Sequence, residues 1–127
     1  MTGDVARHAA QDDGILSPDQ MVLQARRSIA IRRALVAHLP SALIPDPSLD
    51  FLSVLYVAHA AGDRGMSRRE LCAQTMVAAN VGARWLGALR AENLVVEQAD
   101  EIRLSPQGLR LVEDGLRAVI LASHDIQ

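Results

Sequence analysis

Apolar residues recur every three to four positions over most of this chain, and this spacing predicts a mainly helical protein. The first such segment, 18–39, has two candidate capping residues at its start, Ser17 and Asp19. The second, 47–61, follows Pro40 and Pro45, begins at Pro47 and is ended by Gly62. The last, 106–122, carries Leu, Val and Ile side chains along one face.

Two further helices are predicted between the second and the last of these segments. Residues 67–70, Ser-Arg-Arg-Glu, form a capping box in which the Ser accepts from a free backbone N–H and the Glu reaches back to the Ser. A short helix follows this box. A further helix, 78–92, ends at Asn93, which tolerates a left-handed backbone. Two short helices this close together are typical of a helix-turn-helix.

The spacing changes from helical to alternating over 94–104, which predicts a hairpin with its turn at Ala99 and Asp100. Helix, short helix, helix, hairpin and helix is the order of a winged helix. We therefore predict a mainly α fold, a winged helix-turn-helix with a short two-stranded β-hairpin wing and flanking N- and C-terminal helices.

The predicted domain covers residues 17–127, and we expect a flexible tail over 1–16, which is polar and aperiodic. The helices at 18–39 and 106–122 have longer apolar stripes than a domain of this size needs. The surplus favours dimerisation through these two helices, because twofold dimers are the commonest assembly. The alternative is that both stripes pack on the same core.

Two stretches resemble the MarR-type winged-helix regulators. Residues 84–95, Arg-Trp-Leu-Gly-Ala-Leu-Arg-Ala-Glu-Asn-Leu-Val, are similar to the end of that family's recognition helix, and residues 104–108, Leu-Ser-Pro-Gln-Gly, to its motif at the exit of the wing. The resemblance covers 47–122 and uses motifs that related winged-helix families share. It implies DNA binding, and it allows a small apolar effector between the dimer helices and the DNA-binding lobe.

Charge qualifies this expectation. The net charge of the 127 residues is −2, so DNA binding must depend on local charge. Residues 64–90 contain five arginines and one acid, Glu70. The wing, by contrast, carries Glu97, Asp100 and Glu101 where the family has basic and polar residues, which argues against contact between the wing and DNA.

One face of the predicted recognition helix, 78–92, suits base recognition. Trp85 belongs to the opposite, apolar stripe and is expected in the core. Asn pairs with adenine and Arg with guanine, and Ala leaves room for a thymine methyl. Together with phosphate contacts, the predicted DNA-binding residues are Arg68, Arg69, Asn80, Ala83, Arg84, Gly87, Arg90 and Arg103. The alternative is an ordinary solvated face.

Other chemistry has little support in the sequence. The four histidines lack metal-ligand spacing, and the single cysteine, Cys72, excludes an internal disulfide. We expect Cys72 in the core, with redox sensing as the alternative. No catalytic motif stands out, so we expect no enzyme activity, no metal and no cofactor. No signal peptide or apolar stretch of membrane-spanning length is found, so we expect a cytoplasmic protein.

The sequence therefore predicts a homodimeric, sequence-specific DNA-binding transcriptional regulator with helix 78–92 in the major groove. The alternative is a winged-helix module for protein–protein interaction that has lost DNA binding, which the acidic wing and the net negative charge favour. A ligand-binding or catalytic scaffold is a third hypothesis, because fold does not determine function.

Overall fold

The computed structural model describes residues 16–43, 46–62 and 64–126. Within them the chain is mainly helical, with one antiparallel pair of strands. Its elements are α1 (Pro18–His38), a short 3-10 helix (Ser41–Leu43), α2 (Ser48–Ala60), α3 (Arg68–Thr75), α4 (Ala79–Ala91), β1 (Val95–Gln98), β2 (Glu101–Leu104) and α5 (Pro106–Ile126). This order is compatible with the predicted winged helix. No helix in the described part of the chain is long and apolar enough to cross a membrane.

The helix boundaries agree with the local signals. Ser17 accepts a hydrogen bond from the Gln20 backbone N–H and donates its own backbone N–H to the Gln20 side chain, so α1 begins with a full capping box. The last helix runs four residues beyond the predicted end at 122. Most of the predicted tail lies outside the described residues, and its last residue, Leu16, is buried.

The core is centred on α2, whose residues 51–56 are all buried. Phe51 and Leu55 are among the largest fully buried side chains, together with Leu71 of α3 and Ile102 of β2. Accordingly α2 contacts α1, α3, α4, α5 and β2. A helix that is buried at consecutive positions must be surrounded by other elements, and α2 is therefore the central helix of the fold.

A buried ion pair joins α1 to the first turn of α2. The Arg32 guanidinium contacts the Asp50 carboxylate, and the two side chains are only 11% and 10% exposed. Arg32 also donates to the backbone carbonyl of Asp46, 3.1 Å away. Burial raises the pKa of Asp50, and the attraction of Arg32 offsets only part of that effect. The pair therefore holds α1 at a defined position while adding little net stability.

The hairpin agrees with its prediction and gains one pairing. Ala99 and Asp100 both have positive φ angles, 51° and 64°, as a two-residue type I′ turn requires. On the other side of β2, Met66 exchanges two backbone hydrogen bonds with Ile102, at 3.0 and 2.7 Å. The segment before α3 thus adds a single bridge to the predicted two-stranded sheet.

The Leu-Ser-Pro-Gln-Gly motif joins the wing to α5. Ser105 accepts at its hydroxyl from the Gly108 N–H, 2.9 Å away, and donates to the carbonyl of Asn93. A Cβ on Gly108 would overlap the carbonyl of Leu94, so this position needs glycine for close approach. The motif therefore fixes the direction in which α5 leaves the wing.

Candidate nucleic-acid interface

The connection between α3 and α4 is short and well bonded. Ser67 caps α3 as predicted, and its hydrogen bonds with Glu70 hold the pKa of that carboxyl below its ordinary value. Met76 takes the left-handed conformation after α3, with φ 58°. The N–H of Val77 then donates to the Cys72 carbonyl at 2.9 Å, and α4 begins after the extended residue Ala78. The two helices are therefore held close together by a three-residue turn.

Glycine at position 82 allows α4 to cross α3 closely. Gly82 is buried, and a Cβ there would overlap the sulfur of Cys72. The same Cβ would lie 3.7 Å from Phe51 of α2 and 3.7 Å from Val77. The crossing therefore depends on the absence of a side chain at this position.

Cys72 is part of this contact. The side chain is buried, and burial raises the pKa of its thiol, with Arg68 opposing the effect. A thiol with a raised pKa reacts poorly, because the thiolate is the nucleophile. These observations favour the expected core role over redox sensing.

The outward face of α4 carries the predicted base-reading residues. Asn80, Ala83, Arg84 and Ala91 are exposed. Gly87 is half-buried, with open space where its Cβ would stand. The opposite face, which includes Leu86 and Leu89, is buried. The helix thus presents Asn and Arg side chains to solvent along one continuous strip.

Trp85 departs from its prediction in part. Its side chain is only half-buried, although it packs against the core. The guanidinium carbon of Arg84 lies 6.0 Å from the Trp85 ring centroid, at the outer limit of a cation–π contact. Part of the ring therefore lies beside the exposed strip of α4, where it can limit the conformations of Arg84.

Three of the predicted DNA-binding arginines form ion pairs with acids of the wing. Glu97 of β1 accepts from Arg68 at 3.1 Å and from Arg90 at 3.0 Å, so its carboxylate joins the start of α3 to the end of α4. Arg103 donates to Glu101, two residues away on β2, at 3.1 Å. The acids of the wing thus neutralise positive charge that would otherwise be available to phosphates.

Two predicted arginines are arranged differently. Arg69 and Arg84 are exposed, and among the described residues neither forms a salt bridge. Arg69 lies in the first turn of α3 and Arg84 in the middle of α4. Of the predicted DNA-binding arginines, Arg69 and Arg84 can therefore contact an anion without first breaking an ion pair.

A contact that the sequence did not predict joins α1 to the end of α3. Arg33 of α1 donates from Nε and Nη2 to the backbone carbonyl of Gln74, at 3.2 and 2.8 Å. Gln74 lies in the last turn of α3, where a positive side chain suits unpaired carbonyls and the helix dipole. The two residues are 41 positions apart, so no local pattern could predict their contact.

No family model matches the chain, and comparison with characterised proteins and with solved structures gives no significant match either. Among the described residues, no group of three or more His, Cys, Asp or Glu side chains is arranged to hold a metal ion. The resemblance to MarR-type regulators therefore stays a prediction based on short motifs.

Gly82→Ala is expected to lower the free energy of unfolding by about 1–3 kcal/mol, because the new Cβ overlaps the Cys72 sulfur. Gly87→Ala, five positions along the same helix, meets open space and should raise stability by roughly 1 kcal/mol through helix propensity. Urea unfolding of both variants measures the difference.

A double-mutant cycle that combines Gly82→Ala with Cys72→Ala tests whether the overlap with the sulfur causes the loss of stability. Removing the sulfur should relieve the overlap with the new Cβ. The double variant should therefore lose less free energy of unfolding than the two single variants lose together. Equal stabilities for Gly82→Ala and Gly87→Ala would contradict the close crossing of α3 and α4.

Proposed function

We propose that this protein is a winged helix-turn-helix DNA-binding regulator that inserts α4 into the major groove. The observation that carries the proposal is the exposed strip of Asn80, Ala83 and Arg84 on a helix that a three-residue turn joins to the capped helix α3. A recognition helix must present short polar and cationic side chains on a fixed backbone, because base edges are read by direct hydrogen bonds.

The start of α3 is suited to phosphate contact. Arg69 is exposed there without an ion pair among the described residues, and the helix dipole adds partial positive charge at the same end. Phosphate contacts set the position of a protein on the duplex, whereas contacts from α4 would supply sequence preference. The two arginines Arg69 and Arg84 therefore have separate roles in this proposal.

We propose that the protein forms a homodimer through the surface of α1 and α5. A groove of about 480 Å³ lies between α1, the start of α2 and α5. Apolar side chains around it are exposed, with Ile31 at 59%, Leu49 at 74%, Leu111 at 44% and Val119 at 45%. Exposed apolar side chains that cluster in this way mark an interaction surface. A second copy, related by a twofold axis, would cover this surface and present two copies of α4 to two half-sites.

A specific observation also favours the alternative, a protein–protein interaction module. Glu97 forms ion pairs with two arginines of the proposed DNA surface, and Glu101 forms an ion pair with a third. Arginines that are paired with carboxylates contribute less to phosphate binding, because DNA affinity comes largely from counterion release by unpaired cations. Whether the protein binds DNA or another protein thus depends on how much positive charge the face of α3 and α4 retains.

Arg84→Ala is expected to weaken binding to a duplex selected from a random pool by about tenfold or more and to relax base preference at one position, since a bidentate base contact contributes about 1–3 kcal/mol of discrimination. Arg69→Ala should instead weaken binding to all duplexes alike. Arg27→Ala, an exposed arginine on α1, is the control. Fluorescence anisotropy at several salt concentrations measures all three, and failure to enrich any duplex would contradict the proposal.

Glu97→Gln is expected to raise duplex affinity and to steepen the salt dependence by up to about two phosphate contacts, because Arg68 and Arg90 lose their carboxylate partner. Glu92→Gln makes the same charge change at an exposed position and should have a much smaller effect. If neither variant nor the unaltered protein binds any duplex in a salt-dependent manner, the interaction module is the better hypothesis.

Val119→Glu is expected to convert a dimer into a monomer at micromolar concentration, because it puts a charge into the apolar groove. Val119 is 45% exposed in the single chain, so the fold itself should tolerate the change. Val96→Glu, which is similarly exposed on the wing, is the control and should leave the mass unchanged. A monomeric unaltered protein by light scattering would rule out the dimer.

A further inference from the structure

Three consecutive residues of α1 face three different parts of the molecule. Ile31 is exposed and lines the groove proposed for the dimer. Arg32 forms the buried ion pair with Asp50 at the start of α2. Arg33 donates two hydrogen bonds to the Gln74 carbonyl at the end of α3. Successive residues of an α-helix point roughly 100° apart, so a single turn of α1 faces the dimer groove, α2 and α3 at once.

The contact with Gln74 lies just before the turn that leads into α4. Thr75 is the last residue of α3, and Met76 follows it with a left-handed backbone, which residues with a side chain rarely adopt. Two guanidinium nitrogens of Arg33 bind the one carbonyl oxygen of Gln74, at 3.2 and 2.8 Å, so the direction of that carbonyl is restricted from outside the helix. Because a turn of three residues separates α3 from α4, a restriction at this point limits the orientation of α4 relative to α1.

The other steps between the dimer groove and α4 are close, buried contacts. The ion pair of Arg32 with Asp50 fixes α1 on α2, and Gly82 lets α4 cross α3 against the Cys72 sulfur. The helix α1 packs along α2 and α5, whereas it reaches the end of α3 with the exposed side chain of Arg33. The contact of Arg33 is therefore the step that a single substitution can release without disturbing the core.

We propose that Arg33 is a positioning residue that fixes the distance and angle between the two copies of α4 in the dimer. This inference rests on the proposed function, because it requires both the dimer and the duplex. A dimer reads two half-sites that lie one helical turn, or a multiple of it, apart. One added base pair moves the second half-site by about 3.4 Å and rotates it by about 34–36°. Two copies of α4 at fixed positions cannot follow that change, so the protein selects operators with one half-site spacing.

Stability of α3 by itself does not require this arginine. The last carbonyls of a helix have no partner within the helix, and at the protein surface water can bind them. Gln74 is exposed, so its carbonyl has that alternative. A hydrogen bond that replaces one with water contributes little net stability. Loss of the Arg33 contact should therefore change the geometry of the dimer much more than the melting temperature of the fold.

Binding to duplexes that differ only in half-site spacing tests this role. The unaltered protein is expected to bind its preferred spacing at least about tenfold more tightly than a spacing one base pair longer or shorter. Arg33→Gln should bind all three duplexes within about threefold of one another. Arg27→Gln removes the same charge from an exposed position of α1, so it should keep the spacing preference and should bind a single half-site as tightly as Arg33→Gln does. The same spacing preference in both variants would overturn the proposal.

Pulsed electron paramagnetic resonance measures the hold on α3 and α4 without DNA. Spin labels at Ala34→Cys on α1 and Ala91→Cys on α4, both exposed positions, report the distance between the two helices. Dilution with unlabelled protein removes distances between chains, and Cys72 is buried, so it should stay unlabelled. The distance distribution should be roughly twofold wider for Arg33→Gln than for the unaltered protein or Arg27→Gln, as for a released hinge. Equal widths in all three proteins would overturn the proposal.

These measurements separate failure of the positioning role from failure of the proposed function. Duplex binding with an unchanged spacing preference in Arg33→Gln would overturn the positioning role alone. Absence of binding to every duplex would contradict the proposed function and the role in operator spacing, whereas the distance distributions would still decide whether Arg33 holds α3. The melting temperatures of Arg33→Gln and Arg27→Gln should agree within a few degrees, because both side chains are exposed. A large loss in Arg33→Gln alone would contradict a role in positioning.

Discussion

The close crossing of α3 and α4 is the constraint on which the rest of this structure depends. It is possible because Gly82 has no side chain, so the backbone of α4 can lie against the Cys72 sulfur and near Phe51 of the central helix. Buried interiors are packed as densely as organic crystals, and a single added methyl group at such a point has no space to enter. The orientation of the exposed face of α4 follows from this contact, because the three-residue turn leaves the two helices little freedom.

Arginine pairing organises the surface around that framework. This chain has a net charge of −2, and all its basic residues are arginines. Acids of the wing neutralise one group of them, the Arg32–Asp50 pair is buried at the start of α2, and Arg33 binds a helix carbonyl. Arg69 and Arg84, on the exposed face of α3 and α4, have no carboxylate partner among the described residues.

Local features of the fold were predictable from the sequence. The cap at Ser67, the left-handed residue Asn93 and the turn at Ala99 and Asp100 were predicted and are confirmed, and of the two candidates for the first cap, Ser17 and Asp19, the structure has Ser17. Each depends on residues within four positions of one another, so a short stretch of sequence contains the whole interaction. The exposed strip on α4 was predictable for the same reason, because helical periodicity separates its two faces.

Interactions between distant parts of the chain were decided by the tertiary structure alone. The sequence identified Glu97 as an acid that argues against DNA contact by the wing, but not as the partner of Arg68 and Arg90. It contained no signal for the contact between Arg33 and Gln74, 41 positions apart. Hydrophobic periodicity and capping are short-range properties of a single segment, whereas charge pairing depends on which segments meet. The sequence by itself therefore determined the helices, the hairpin and the outward face of α4, and the packing of those elements decided which arginines are paired.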